Sequence, residues 1–160
     1  MRLRRDYPGL SVVARAPAQG GPWLRLKRWW LSLRARWLSR KTRQLTPGPV
    51  LAVKVWVDGI RGGRSKVRCR YQLIIDTSHL QQAIPDVWVI SPPDREIKHV
   101  NIWPSHKSFC KWSGTRLPSI CWYTYANGWL AAPAKSRTLG AALEYIKQLL
   151  NTENHDSPAR

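Results

Sequence analysis

An α+β fold is what the order of sequence patterns predicts for this chain of 160 residues. A helical pattern comes first, strand-like patterns follow, and a second helical pattern lies near the C-terminus. Between the strands and the last helix lies a segment without any long period. We therefore expect an N-terminal helix, an antiparallel meander of three to four strands, a long loop and a C-terminal helix.

The N-terminal third contains two kinds of sequence. Residues 1–22 are rich in Arg, Pro, Gly and Ala, which predicts a flexible basic arm. Residues 23–45 have apolar side chains at helical spacing, and the Pro and Gly of residues 46–49 end the predicted helix. The predicted apolar face of this helix consists of Leu26, Trp30, Leu33 and Trp37.

Strand patterns fill the middle of the chain. Residues 51–57 and 66–76 alternate apolar and polar side chains around turn-like residues 58–65, which predicts an antiparallel hairpin. A third strand is predicted over residues 87–90. The inward face predicted for the second strand consists of Val67, Cys69, Tyr71 and Leu73.

The remaining sequence predicts a loop, a helix and a tail. Residues 91–137 contain much Pro, Gly, Ser and Trp without a long period, and long irregular segments are often functional. Residues 138–150 predict the second helix, and residues 155–160 a disordered tail. A single domain is expected over residues 23–154. The buried stripe predicted for the second helix is Leu139, Leu143, Ile146 and Leu150.

The charge is strongly positive, with 27 Lys and Arg against 9 Asp and Glu and a net charge of +18. Such an excess favours acidic partners, which include nucleic acid, an anionic membrane and an acidic protein surface. We weigh a non-catalytic basic module that binds nucleic acid or an acidic protein as one hypothesis. Nucleic acid is not favoured, because no base-reading motif is present. No apolar run is long enough to predict a transmembrane segment.

The cysteines are Cys69, Cys110 and Cys121. An odd number without a secretory signal predicts a reducing, cytoplasmic setting. Metal-ligand spacings, phosphate-binding loops and a G-x-S-x-G motif are absent, so we expect no metal and no cofactor. A cysteine nucleophile remains possible, whereas Cys69 alternates with inward-facing residues and is expected to fill the core.

Four segments resemble, in order, the ubiquitin-conjugating enzyme family. They are PDVWVI (85–90), HVN (99–101), PSICWYTYANGW (118–129) and TLGAALEYIKQLLNTEN (138–154). HVN is similar to the His-Pro-Asn tripeptide of the family, with Val in the central position. The ICWY stretch resembles bacterial ubiquitin-conjugating-like proteins of CBASS antiphage operons, which lie beside cGAS-like nucleotidyltransferases. The resemblance implies the ubiquitin-conjugating-like fold, in which the long loop carries the active site.

The resemblance also implies a thioester carrier, in which a cysteine accepts an acyl group and passes it to a target. Cys110 is a candidate nucleophile because it follows His99 by eleven residues. Cys121 is the favoured candidate, because it has the Ser-Ile-Cys context, the downstream Trp129 and the nearby closing helix. His99 is expected to shape the loop through hydrogen bonds rather than to transfer protons.

Other roles follow from the same resemblance. Asn101 or Asn127 would stabilise the oxyanion, although either residue would equally serve as a loop cap. Trp122, Tyr123 and Trp129 would form the wall of the site. The basic first helix would dock an activating enzyme through Arg25, Lys27, Arg28, Arg34 and Arg36.

The partners implied are an activating enzyme, a ubiquitin-like modifier and a protein target. A cGAS-like nucleotidyltransferase is the expected target, in antiviral defence, although another protein target stays open. These partners follow from the resemblance alone.

Overall fold

The computed structural model describes residues 2–16 and 48–159. The chain divides into two compact units, one formed by residues 1–14 and 50–160 and the other by residues 15–49. In the second unit, Ala16 N donates a hydrogen bond to the carbonyl oxygen of Pro49 at 2.9 Å. The helix predicted over residues 23–45 lies outside the described residues, as do its basic side chains Arg25, Lys27, Arg28, Arg34 and Arg36.

The described residues form an antiparallel sheet with helices, which confirms the α+β expectation at that level. The helices are α1 (Arg2–Asp6), α2 (Tyr123–Ala131) and α3 (Leu139–Asn151). The strands are β1 (Ser11–Arg15), β2 (Val50–Gly62), β3 (Ser65–Asp76), β4 (Val87–Ser91), β5 (Ile102–Trp103), β6 (Phe109–Cys110), β7 (Thr115–Arg116) and β8 (Ser119–Ile120).

Six of these strands form the main sheet in the order β1-β2-β3-β4-β8-β5, and β6 pairs with β7 in a separate hairpin. The predicted antiparallel pair is present as β2 and β3, with Val55 opposite Leu73 and Val57 opposite Tyr71. Both strands extend into the predicted turn, so that only residues 63 and 64 connect them. Beyond β4 the sheet continues with the short strands β8 and β5, which lie beside the candidate site.

One face of the sheet packs against α3. Thr138 caps this helix, because its side-chain oxygen accepts a hydrogen bond from Ala141 N at 3.2 Å. Leu143, Ile146 and Leu150 are buried as predicted, whereas Leu139 is only half-buried. The strand residues that face α3 in this core include Tyr71, Leu73, Ile75, Val55, Val57, Val87 and Val89.

The opposite face of the sheet is partly covered by the β6–β7 hairpin. Cys110 packs there with Ala52, Ile74 and Trp88. Lys111 Nζ lies 2.5 Å from the Asp76 carboxylate at the edge of this cluster. Burial raises the pKa of Asp76, but hydrogen bonds from Lys111 and Ser78 outweigh burial and leave this pKa below its usual value.

The structure corrects the prediction for Val67 and describes parts of the two predicted terminal segments. The arm predicted over residues 1–22 contains α1 and β1 within its described part. The tail predicted to be disordered over residues 155–160 packs against the domain, because Ser157 and Ala159 are buried. Val67 is 58% exposed, because the inward face of β3 extends past the end of the core at this position.

The segment over residues 91–137 is not an unbroken loop. It contains the four short strands β5 to β8 and the helix α2. Each of these strands has only two residues. β8 pairs with β4 and β5, which are distant in sequence, and β6 pairs with β7 in a local hairpin. No helix in the described ranges has both the length and the apolar character that crossing a membrane requires.

Gly59 is a point of close approach between β2 and α3. A Cβ atom at Gly59 would lie 2.5 Å from the Leu150 carbonyl oxygen and 2.7 Å from Leu150 Cβ. We expect Gly59→Ala to reduce the free energy of unfolding by about 1–3 kcal/mol, because the helix must move outward. Urea denaturation measures this change.

Gly128 of α2 provides the matched control, because the nearest atom to its added Cβ is Tyr145 Oη at 3.6 Å. Gly128→Ala is expected to raise stability by up to about 1 kcal/mol, since alanine has the higher helix propensity. Equal effects of the two substitutions would contradict the packing described here.

Candidate functional site

Cys121 lies at the junction between a strand and a helix. It directly follows β8, which lies between β4 and β5 in the sheet. Trp122 alone separates it from the start of α2 at Tyr123. Its backbone N–H donates a hydrogen bond to the Asn101 carbonyl oxygen at 2.8 Å. The fold thus brings the HVN tripeptide and Cys121 into direct contact through the backbone. The side chain is 7% exposed, so it lies at the margin of the core.

The other two cysteines have different surroundings. Cys110 is completely buried under the β6–β7 hairpin, where an acyl group on a protein tail has no access. Cys69 is half-buried on β3 and packs against the edge of the core, which agrees in part with the expected core position. Burial raises the pKa of the Cys69 thiol, and Tyr71 and Arg61 act in the opposite direction. Of the two candidate nucleophiles, Cys121 is the less completely buried, at 7% exposure against 0% for Cys110.

Asn101 is buried and fully engaged in the structure. Its side-chain Nδ2 donates hydrogen bonds to the carbonyl oxygens of Leu149 at 3.1 Å and Thr152 at 2.8 Å. Its Oδ1 accepts a hydrogen bond from Asn154 N at 3.3 Å. These carbonyls belong to the C-terminal end of α3, where the helix itself supplies no partners. The loop-cap role is the one present, and neither amide hydrogen is free for an oxyanion in this arrangement.

His99 is completely buried beside Asn101. Its Nδ1 accepts a hydrogen bond from Asn101 N at 3.2 Å, which is the kind of loop-shaping contact expected from the sequence. Within the described part of the chain, Nε2 has no hydrogen-bond partner. Burial lowers the pKa of His99, against the opposing influence of Glu153 and the Leu150 carbonyl. The imidazole is consequently held in its neutral form.

The predicted wall of the site divides into buried and exposed residues. Trp122 and Trp129 are buried with ring centroids 6.0 Å apart, and both pack against Tyr145. Their indole N–H groups donate to the carbonyl oxygens of Pro85 at 2.9 Å and Ala83 at 3.0 Å. These rings belong to the buried packing against Tyr145 of α3 and do not form a wall that faces solvent.

Two of the predicted residues remain at the surface of α2. Tyr123 is 51% exposed and immediately follows Trp122, and Asn127 is also exposed. The two side chains are four residues apart and therefore share one helix face. Among the described residues predicted for the site around Cys121, Tyr123 and Asn127 are exposed to a protein partner.

Two functional features had no clear signal in the sequence. The helix α2 directly after Cys121 was not predicted, because its apolar and aromatic residues lack a strong helical period. Glu153 was not singled out either, although its carboxylate accepts hydrogen bonds from the backbone of the β2–β3 turn. Across residues 2–16 and 48–159, no three His, Cys, Asp or Glu side chains are grouped in a way that could hold a metal ion.

Comparison with known proteins finds no matching family model for this chain. No curated protein and no solved structure matches it significantly. The resemblance to the ubiquitin-conjugating family therefore rests on the four sequence segments.

The hydrogen bonds of the Asn101 side-chain amide predict an effect of its substitution on stability. Asn101→Asp replaces a donor to two carbonyl oxygens with a buried carboxylate, and leaving such groups unpaired costs about 1–3 kcal/mol or more. We expect a fall in the free energy of unfolding by at least this amount, measured by chemical denaturation at neutral pH.

Asn127→Asp is the matched control, because Asn127 is exposed on α2. Its effect on stability is expected to stay within about 0.5 kcal/mol. If Asn101→Asp had an equally small effect, the capping role of Asn101 would be wrong.

Proposed function

We propose that the protein is a ubiquitin-conjugating-like thioester carrier with Cys121 as the acceptor thiol. The observation that carries this proposal is the hydrogen bond from Cys121 N to the Asn101 carbonyl oxygen, which joins the two family-like motifs at one point. The complete burial of Cys110 also supports Cys121 over its rival. Exposed Tyr123 and Asn127 on the adjacent helix provide a surface at which a protein substrate can approach.

The reaction proposed is a two-step acyl transfer. The Cys121 thiolate attacks the carbonyl carbon of an incoming thioester, a new S–C bond forms, and the first thiolate leaves. An amine on the target then attacks the same carbon, a C–N bond forms, and Cys121 leaves as a thiolate while the amine loses a proton. Because the incoming acyl group is already activated, a shallow site is sufficient for this exchange.

Both steps pass through an oxyanion that needs a hydrogen-bond donor. The amide of Asn101 is engaged with α3, so Asn127 is the side-chain donor that we propose. The first N–H groups of a helix also lack intrahelical acceptors, and α2 begins two residues after Cys121. One well-placed donor is typically worth about 3–4 kcal/mol in the transition state.

The partners proposed follow from the family resemblance. They are an activating enzyme that delivers a ubiquitin-like modifier, and a target such as a cGAS-like nucleotidyltransferase in bacterial antiphage defence. The basic residues 25–36 would dock the activating enzyme, a contribution that weakens as salt rises.

A second candidate function is a non-catalytic basic module that binds an acidic protein or nucleic acid. The near-complete burial of Cys121 and the engagement of Asn101 with α3 favour this candidate. Such a module needs no thiol, so its binding would be unaffected by substitution of Cys121 and strongly weakened by salt.

A synthetic peptide with a C-terminal glycine thioester tests the carrier function without any activating enzyme. We expect the wild-type chain to gain the mass of one acyl group, mapped to Cys121 by tandem mass spectrometry and removed by dithiothreitol. Cys121→Ala should lose the adduct almost completely, because the acceptor sulfur is absent.

Cys110→Ala and Cys69→Ala are the matched controls and should keep the adduct. An adduct of undiminished yield in Cys121→Ala would contradict the assignment of the thiol. Failure of the wild-type chain to form any adduct would favour the non-catalytic module.

A further inference from the structure

A second site lies at the tip of the β2–β3 hairpin, away from the cysteine chemistry. The structure contains a groove of about 470 Å³ between this tip and the residues that follow α3. A volume of this size falls in the range of small-molecule sites. The groove is lined by Ile60, Arg64, Ser65, Lys66, Arg68, Asn151, Glu153 and His155.

The hairpin turn beside this groove is built to hold an anion. Gly63 and Arg64 occupy its two central positions with φ of 69° and 63°, which are the left-handed values of a type I′ turn. Gly63 N donates to Glu153 Oε1 at 2.7 Å, and Arg64 N donates to Glu153 Oε2 at 2.9 Å. The two N–H groups therefore converge on one carboxylate, as in the backbone anion-binding turns called nests. Arg64 adopts this conformation although it is not glycine, at a cost of about 1–2 kcal/mol.

Three cationic side chains line the groove that also contains this carboxylate. Arg64, Lys66 and Arg68 are all exposed and line the groove. Lys66 and Arg68 project from the same face of β3, about 7 Å apart along the strand. None of the three has an ion-pair partner within the described ranges. Glu153 is the single carboxylate among the lining residues, so the groove carries an excess of positive charge.

We propose that this groove binds a phosphate group and that Glu153 occupies the anion position until the phosphate displaces it. A carboxylate has two oxygens, and both are used by the two turn N–H groups. A phosphate brings more negative charge and three acceptor oxygens. It can therefore satisfy both N–H groups and still accept from one of the guanidinium groups. A competing carboxylate would gain no additional contact, which is why the geometry favours phosphate.

Displacement of Glu153 would act on the chain segment that follows α3. This segment is also held by Asn101, whose side chain bonds Thr152 and Asn154. Because Asn101 remains in place, the segment would lose one of its anchors rather than all of them. The inference does not depend on the chemistry of Cys121, and the two proposals stand or fall separately.

Titration calorimetry of the full-length chain with inorganic pyrophosphate tests this site. We expect binding that Lys66→Glu with Arg68→Glu weakens by about tenfold or more, because two attractive charges become repulsive. Glu153→Gln should tighten binding by about fivefold, since the internal competitor loses its charge. Both effects have the sign that a change in net charge alone would give, so charge changes outside the groove must be compared with them.

Two substitutions outside the groove serve as controls. Lys135→Glu and Glu96→Gln change exposed residues that do not line it, and both should leave pyrophosphate affinity within about twofold. Circular dichroism confirms the fold of every variant.

Binding of a ten-nucleotide single strand of DNA is measured in parallel. Comparison of the two probes shows whether the phosphate comes from a small phosphorylated ligand or from a nucleic-acid backbone. Binding of either probe with the stated response to Glu153→Gln supports the site and identifies the source. Absence of binding by both probes would overturn it. So would equal affinity in the wild type, in Glu153→Gln and in the double charge reversal.

Discussion

The side chain of Asn101 is the contact on which the candidate site depends. Its amide donates to two carbonyls at the end of α3, and its oxygen accepts from the backbone of Asn154. The same residue uses its own carbonyl oxygen to hold Cys121 N. One buried residue thus fixes the last turn of a helix and the strand–helix junction that carries the thiol. A buried amide whose donors and acceptor are all satisfied imposes one geometry, because any shift leaves a polar group unpaired.

The tip of the β2–β3 hairpin packs against His99, the residue that accepts a hydrogen bond from Asn101 N. Gly62 adopts a φ of 86° and packs so closely on the backbone of His99 that a Cβ atom would lie 2.3 Å from His99 Cα. The imidazole of His99 then accepts from Asn101 N. Hairpin tip, tripeptide and helix end therefore pack together, and the groove proposed to bind phosphate is lined by residues of the tip and of the segment after α3. Glycine at this position is a requirement of the approach of two backbones.

Much of the fold follows from local sequence patterns. The alternation in β2 and β3 and the helical stripe of α3 arise from the burial of one face, which a single sequence shows directly. The strands β5 to β8 have two residues each, and a period cannot be read from two residues. The error at Val67 has a related cause, because alternation continues along β3 beyond the point where the core ends.

The candidate site was predictable in part. The family resemblance assigned HVN and Cys121 to one candidate site, and in the structure a backbone hydrogen bond joins them. A loop-cap role for Asn101 was one of two alternatives, but its partners were not predictable, because they lie about fifty residues away in sequence. Glu153 accepts hydrogen bonds from a turn ninety residues earlier in the chain. A single acidic residue after a helix gives no indication in the sequence of such a distant partner. Long-range polar contacts of this kind are determined by tertiary structure.

The relative reactivity of the three thiols tests the central claim most directly. Limiting iodoacetamide on the native chain, followed by quantitative peptide mass spectrometry, measures the labelling rate of each cysteine. The account requires Cys121 to react fastest although it is more buried than Cys69, because an acceptor thiol must be available to an incoming acyl group. Completely buried Cys110 is expected to react last. Fastest labelling of Cys69, with Cys121 as slow as Cys110, would contradict the assignment of Cys121 as the acceptor.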